Sequence, residues 1–181
     1  GFVKITGEVG TGKTLLCRKL LADLEGKAPC AWLPNPVLSP QEMRLALAHE
    51  LGLDVGERHS SLTNDALLAR RLELHLLQLA RAGRPAIFII DEAQSLPDET
   101  LEALRLLSNL ETERHKLVQI VLFGQPELNV RLRGEKFRQL RQRIAFSFHL
   151  PRLPDSLMTA YLAQRLRVAG CGGDIPFTNS A

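Results

Sequence analysis

The sequence predicts a parallel α/β sheet with helices on both faces, and three observations predict it. A short apolar run, Phe2-Val3-Lys4-Ile5-Thr6, feeds into Gly7-Glu8-Val9-Gly10-Thr11-Gly12-Lys13-Thr14 and then into a helix-like run from Thr14 to Leu21. A second run, Pro85-Ala86-Ile87-Phe88-Ile89-Ile90, is apolar without alternation and ends in Asp91-Glu92; such a strand is buried on both faces. Strand-like and helix-like stretches then alternate along the chain, which is the βα pattern, and ligands of such folds lie at the strands' C-terminal edge.

The first glycine-rich stretch reads G-x-x-x-x-G-K-T, the phosphate-binding loop of nucleoside triphosphatases. Gly7, Gly10 and Gly12 allow backbone conformations that side chains forbid, so the amides from Gly10 to Thr14 can point at phosphate oxygens. The following helix adds the positive end of its dipole. The candidate nucleotide-binding residues are Gly7, Glu8, Val9, Gly10, Thr11, Gly12, Lys13, Thr14 and Leu15. Lys13 is expected on the β- and γ-phosphates, and the Thr14 hydroxyl on Mg²⁺.

Asp91 and Glu92 would be costly to bury at a strand tip without a partner, and Mg²⁺ is the natural one. Asp91 is the candidate metal carboxylate, holding the ion through water. Glu92 points elsewhere and is the candidate general base for the attacking water.

Composition narrows the class. The 181 residues are 45% hydrophobic and 24% charged, the balance of an ordinary globular chain. The net charge of +3 is compatible with nucleic acid, acidic lipid or neither. Cys17, Cys30 and Cys171 are odd in number and lack metal-ligand spacing, so they read as reduced residues of a cytosolic protein. No apolar run approaches the ~20 residues of a membrane span. Both ends read as cut, so the sequence is expected to be a piece of a longer chain.

The remaining elements follow in order. Gly26 should stop the first helix. Cys30-Ala31-Trp32-Leu33-Pro34 is a short second strand, with Trp32 packed beside the sheet. Ser39-Pro40-Gln41-Glu42 is a capped helix start, and Met43, Leu45, Ala46, Leu47 and Leu51 supply its buried face. A polar connection, Gly56 to Asn64, leads to a long helix from about Asp65 to Ala82. His49, His59 and His75 receive no ligand role. Leu101, Leu104, Leu106, Leu107 and Leu110 mark a helix after Pro97. Val118 to Phe123 is a fourth strand whose tip carries Gln125, the candidate for a hydrogen bond to the γ-phosphate or its water. Residues 131–143 hold six cations against one acid, Glu135. Most of them read as a solvated face. Arg141 and Arg143 directly precede a fifth strand, Ala145 to Leu150. They read either as surface ion-pair partners or as groups reaching a neighbouring subunit's nucleotide. Pro154-Asp155-Ser156 opens a last helix, which Gly170-Cys171-Gly172-Gly173 ends.

The loop, the Asp91-Glu92 tip, the Gln125 tip and the arginines before strand five together resemble an AAA+ ATPase. That resemblance implies strand order 5-1-4-3-2, a core over residues 1–150, and a linker helix with the start of a helical lid over residues 151–181. It also implies assembly into a ring or filament. By position Gln125 resembles sensor 1. Arg143 resembles the arginine finger acting in trans, with Arg141 as the alternative. Leu33-Pro34-Asn35-Pro36, Ile90-Asp91-Glu92-Ala93-Gln94, Phe123-Gly124-Gln125-Pro126-Glu127-Leu128 and Leu140-Arg141-Gln142-Arg143-Ile144 resemble one branch most. It is that of general secretion pathway protein A and the ATPase of mannose-sensitive haemagglutinin pilus biogenesis. Such proteins carry an adenine-holding segment before the first strand and a second sensor arginine in the lid, and neither lies within this sequence.

The resemblance implies Mg²⁺-dependent ATP hydrolysis in a homo-oligomer, with partners in a secretion or pilus machine. The expected location is the cytoplasm, with attachment to the inner membrane through segments outside this sequence. The rival reading is a transposition or replication-initiator ATPase that binds DNA through residues 131–143. A nucleotide-gated switch with negligible turnover is a third.

Overall fold

The computed structural model of the chain describes residues 1–54, 65–110 and 116–171. The described residues fall into two compact units, Gly1–Leu150 and Pro151–Ala181. The first unit is built on β1 (Phe2–Thr6), β2 (Cys30–Leu33), β3 (Ala86–Ile90), β4 (Val118–Gly124) and β5 (Ile144–His149). All four strand pairings are parallel, and the order across the sheet is β2-β3-β4-β1-β5. This is the expected order 5-1-4-3-2 read from the other edge.

The helices of this unit are α1 (Lys13–Leu24), α2 (Pro40–Glu50), α3 (Asp65–Arg81), α4 (Asp98–Leu107), α5 (Pro126–Arg133) and α6 (Arg138–Gln142). They start and stop where local chemistry tells them to. At α2, the Ser39 hydroxyl accepts from the Glu42 amide while Glu42 Oε2 accepts from the Ser39 amide at 2.8 Å. This reciprocal cap, with Pro40 in the first turn, satisfies amides that the helix leaves bare. After α1, Gly26 at φ 71° turns the chain out of the helix.

The two faces of the sheet are covered unequally. Phe2, Phe88, Ile90, Ile120 and Leu122 pack against α2 to α6 in one large core. In α3 that core takes Leu68, Leu72, Leu76 and Ala80, one residue per turn, while Leu67 and Leu74 stay exposed. On the other face Ile89, Val121 and Phe123 pack with Cys17, Leu20, Leu21 and Leu24 of α1, with Trp32 at the margin. Two details differ from the sequence expectation. Helix α4 ends at Leu107, and Leu110 packs from the segment after it. Leu106 points outward because it lies off the stripe formed by Leu101, Leu104 and Leu107.

The second unit contributes α7 (Asp155–Val168), opened by Pro154. The connection read at Gly56 to Asn64, with His59, lies outside the described residues. So do Gly172, Gly173 and the terminal stretch.

Leu72 is fully buried and remote in sequence from the glycine-rich loop. Leu72→Ala should therefore lower unfolding free energy by about 2–5 kcal/mol through the cavity it leaves. Urea denaturation measures this; a loss well below that range would show that α3 is not seated on the sheet.

Candidate functional site

The parallel sheet brings the C-terminal tips of β3, β4 and β1 side by side, because these three strands are neighbours. The glycine-rich loop leaves the tip of β1. Its geometry explains its residues. A Cβ on Gly7 would lie 2.7 Å from Thr11 Oγ1 and 2.8 Å from the Leu150 carbonyl oxygen, so only glycine fits. Gly10 and Gly12 sit at φ 81° and 90°, in the left-handed region. The Glu8 carbonyl ties the loop together. It accepts from the Thr11 hydroxyl at 2.9 Å and from Lys13 Nζ at 2.9 Å. Lys13 Nζ also donates to the Gly7 carbonyl at 2.8 Å, and Lys13 is only 5% exposed. Helix α1 begins at Lys13, so its first amides open onto the same loop.

Asp91, at the tip of β3, is buried and uses both carboxylate oxygens. Oδ2 accepts from the Thr14 hydroxyl at 2.8 Å, and Oδ1 accepts from the Glu92 amide at 2.9 Å. Glu92 has φ 51°, the sole positive value of a non-glycine among the described residues. That conformation costs about 1–3 kcal/mol, a cost borne where a side chain must be aimed. Here it turns Glu92 away from Asp91 and toward Gln125, whose Nε2 donates to Glu92 Oε2 at 3.1 Å.

These side chains meet around one cavity of about 360 Å³, lined by Val9, Gly10, Gly12, Lys13, Thr14, Leu15, Glu92 and Gln125. Beneath it the Cys17 thiol is pushed up to about 11, by burial first and then by the charge of Asp91. At neutral pH it is a protonated packing group. A larger hollow of about 530 Å³ lies beside α1, between Arg18, Glu25 and Trp32, but none of the loop or strand-tip residues line it.

The structure also brings in a residue to which the sequence alone gives no role. Gln94 lies in a 3-10 turn, Ala93–Ser95, just after Glu92. Its Nε2 donates to Glu92 Oε2, and its Oε1 accepts from the Gln125 amide at 2.9 Å. Arg131 of α5 donates to the Gln94 carbonyl and to Asp98. The Asp98 carboxyl is held below the usual carboxylate range, by its hydrogen bond from Lys136 first and then by that from Arg131. This brace therefore takes up its proton at a lower pH than an ordinary aspartate does.

The arginines before β5 are not brought into this cavity. The Arg143 carbonyl accepts from the Phe2 amide, at the start of β1. The loop leaves from the other end, roughly 16 Å away along the strand. Arg141 Nη1 donates to the Leu132 and Arg133 carbonyls at 3.2 and 3.0 Å, capping the end of α5. Arg143 Nη1 reaches the Ser108 carbonyl only at 3.5 Å. Within the basic stretch, Arg131 and Lys136 pair with Asp98, and Arg138 pairs with Glu135 at 3.5 Å. Three of its six cations thus have a carboxylate partner inside the subunit.

The donor set fits a polyphosphate and a hard cation. The glycines of the loop, the start of α1 and the buried Lys13 line the cavity, and the Thr14 hydroxyl and the Asp91 carboxylate lie within hydrogen-bond distance of each other. Among the described residues no group of three or more His, Cys, Asp or Glu side chains could hold a metal. A cation would then rest on Asp91, Thr14 and the phosphate oxygens themselves, as Mg²⁺ does in nucleotide sites.

A parallel sheet in this order, with a glycine-rich loop between β1 and α1, is the AAA+ core of the P-loop class. Residues 1–132 match the sequence family described as AAA domain, and the chain belongs to that family. A relative, general secretion pathway protein A of Aeromonas hydrophila, is 44% identical over 171 residues. The match covers 94% of this chain and 30% of that protein, so the chain spans under a third of its relative's length. The ORC2 protein of Aeropyrum pernix in its ADP form shares the fold with a TM-score of 0.68 at 21% identity, over 92% of this chain and 46% of that one. Cdc6p of Pyrobaculum aerophilum gives a TM-score of 0.68 at 18% identity, over 92% and 43% of the two chains. No helix among the described residues is long and apolar enough to cross a membrane.

Gly7→Ala should abolish capture of inorganic tripolyphosphate, because the added methyl must displace Thr11 and the Leu150 carbonyl. Circular dichroism should show the helices retained. Calorimetric titration reads the binding, and unchanged affinity would mean that the loop does not hold phosphate.

Proposed function

We propose that this AAA+ module binds ATP with Mg²⁺ and hydrolyses it, and that the cycle drives or regulates assembly of a bacterial secretion or pilus machine. The observation that carries the reading is the convergence of Lys13, Thr14 with Asp91, and Glu92 with Gln125 on one cavity. The relative in the general secretion pathway supports the cellular role, and the ADP form of the Aeropyrum pernix ORC2 protein supports the nucleotide.

Each residue then has a task. The amides from Gly10 to Thr14 hold the β-phosphate at the start of α1. Lys13 exchanges the Gly7 and Glu8 carbonyls for β- and γ-phosphate oxygens. Thr14 and Asp91 hold Mg²⁺, which when bound offsets charge on the phosphates. Glu92 accepts a proton from the water that attacks the γ-phosphorus in line, and the β–γ bridging oxygen leaves with ADP. Gln125 orients the γ-phosphate or that water.

Arg143, beside the start of β1, and Arg141, on the end of α5, do not line their own subunit's cavity. Arg143 is assigned to a neighbour's γ-phosphate in a homo-oligomer, and Arg141 is the alternative. The contacts of Arg141 with the end of α5 favour Arg143. In this reading residues 1–150 are the nucleotide-binding core, and residues 151–181 are a linker helix with the start of a lid. Attachment at the inner membrane belongs to the machine and to segments outside this sequence.

Lys13→Ala should weaken nucleotide affinity by about 30-fold or more, since it removes a buried charged contact. Glu92→Gln should keep binding and lose about 10²–10⁴-fold in turnover. Titration with a fluorescent nucleotide and steady-state phosphate release separate the two effects. Unchanged turnover in Glu92→Gln would remove the base.

Arg143→Ala should lower turnover by about 10³-fold or more without loss of binding. Mixing it with Glu92→Gln should restore activity, because one class of mixed interface joins an intact Glu92 to an intact Arg143. A mixture as inactive as its parts would place the arginine's role within one subunit.

A further inference from the structure

We propose that Gln94 is a positioning residue for hydrolysis: it locks the Glu92 carboxylate to the tip of β4. This rests on the reading of Glu92 as base. The orientation of the Gln94 amide is fixed by its partners. The Gln125 amide can only donate, so it must meet Oε1. The Glu92 carboxylate can only accept, so it must meet Nε2. Gln94 therefore bridges the two strand tips with one side chain, and neither end can be reversed.

Three surrounding features hold that bridge. Glu92 lies at φ 51° and the 3-10 turn follows at once, which folds Gln94 back over its neighbour. Arg131 holds the Gln94 carbonyl while bonded to Asp98. A Cβ on Gly124 would meet Gln94 Oε1 at 3.2 Å and Leu128 Cδ2 at 2.9 Å. The glycine of Gly124-Gln125 thus leaves room for the amide that reaches over from the neighbouring strand tip.

The consequence concerns the reacting water. Gln94 Nε2 and Gln125 Nε2 both donate to Glu92 Oε2. Oε1 is left as the oxygen that receives the proton. When the Gln125 side chain turns to a γ-phosphate, Gln94 alone keeps Glu92 in place. Gln94 does not line the cavity and acts through Glu92.

The test uses the full-length protein with ATP and Mg²⁺ and two variants. Gln94→Ala removes both ends of the bridge. Gln94→Glu keeps an acceptor for the Gln125 amide but sets a carboxylate against that of Glu92. Both should lose about 10²-fold in kcat while KM, nucleotide affinity and melting temperature stay close to the parent's. Should Gln94→Ala prove unstable, Gln94→Glu, nearly the same size, carries the test. A Gln94→Glu protein that turns over at the parental rate would overturn the proposal, since it would reduce Gln94 to a brace for the Gln125 backbone. A defect confined to KM or affinity would overturn it as well. Glu92→Gln tells the two failures apart. If that variant still hydrolyses ATP, the base assignment is lost and this proposal with it. If it is inactive while the Gln94 variants are not, only the role of Gln94 is lost.

Discussion

A lysine amine buried against two carbonyls of its own loop is the constraint on which the site depends. Lys13 is almost wholly covered, and the acceptors it has are neutral. A cation held in that way is poorly compensated, and an arriving anion improves its surroundings. The loop cannot relax to avoid this arrangement. Gly7 is pinned between Thr11 and Leu150, and Gly10 and Gly12 hold left-handed conformations that other residues rarely adopt.

The sheet supplies the second half of the arrangement. Parallel strands are about 4.8 Å apart, so the tips of β3, β4 and β1 place their residues within about 10 Å of one another. Asp91 is thereby delivered to Thr14 across 77 residues of sequence, and Gln125 to Glu92 across 33. No single element could do this, because each contributes only one or two of the polar groups. The apolar runs of β3 and β4 are buried on both faces and fix the register from which these groups project.

What could be read in the sequence follows from this division. The glycine-rich loop is contiguous, and its glycines, lysine and threonine follow a recognisable spacing. Asp91 and Glu92 were legible because two acids ending an unbroken apolar strand demand a partner for their charge. Gln125 was legible by its place at a strand tip. Gln94 was not. Its partners are the carboxylate two residues back and an amide 31 residues on, and a glutamine in a short turn gives no signal of either. The pairing of Arg131 and Lys136 with Asp98 was hidden for the same reason, and the basic stretch looked more available than it is. The unequal cover of the two sheet faces also escaped, since helix count alone does not tell which face each helix takes.

In the proposed function Lys13 and the Thr14–Asp91 pair are two sides of one polyphosphate site. A crystal structure of the protein with a non-hydrolysable ATP analogue and Mg²⁺ tests it most directly. In that complex Lys13 Nζ should leave the Gly7 and Glu8 carbonyls for phosphate oxygens, with Thr14 and Asp91 turned to the same ion. An analogue bound elsewhere, with the Lys13 amine still on those two carbonyls, would contradict it.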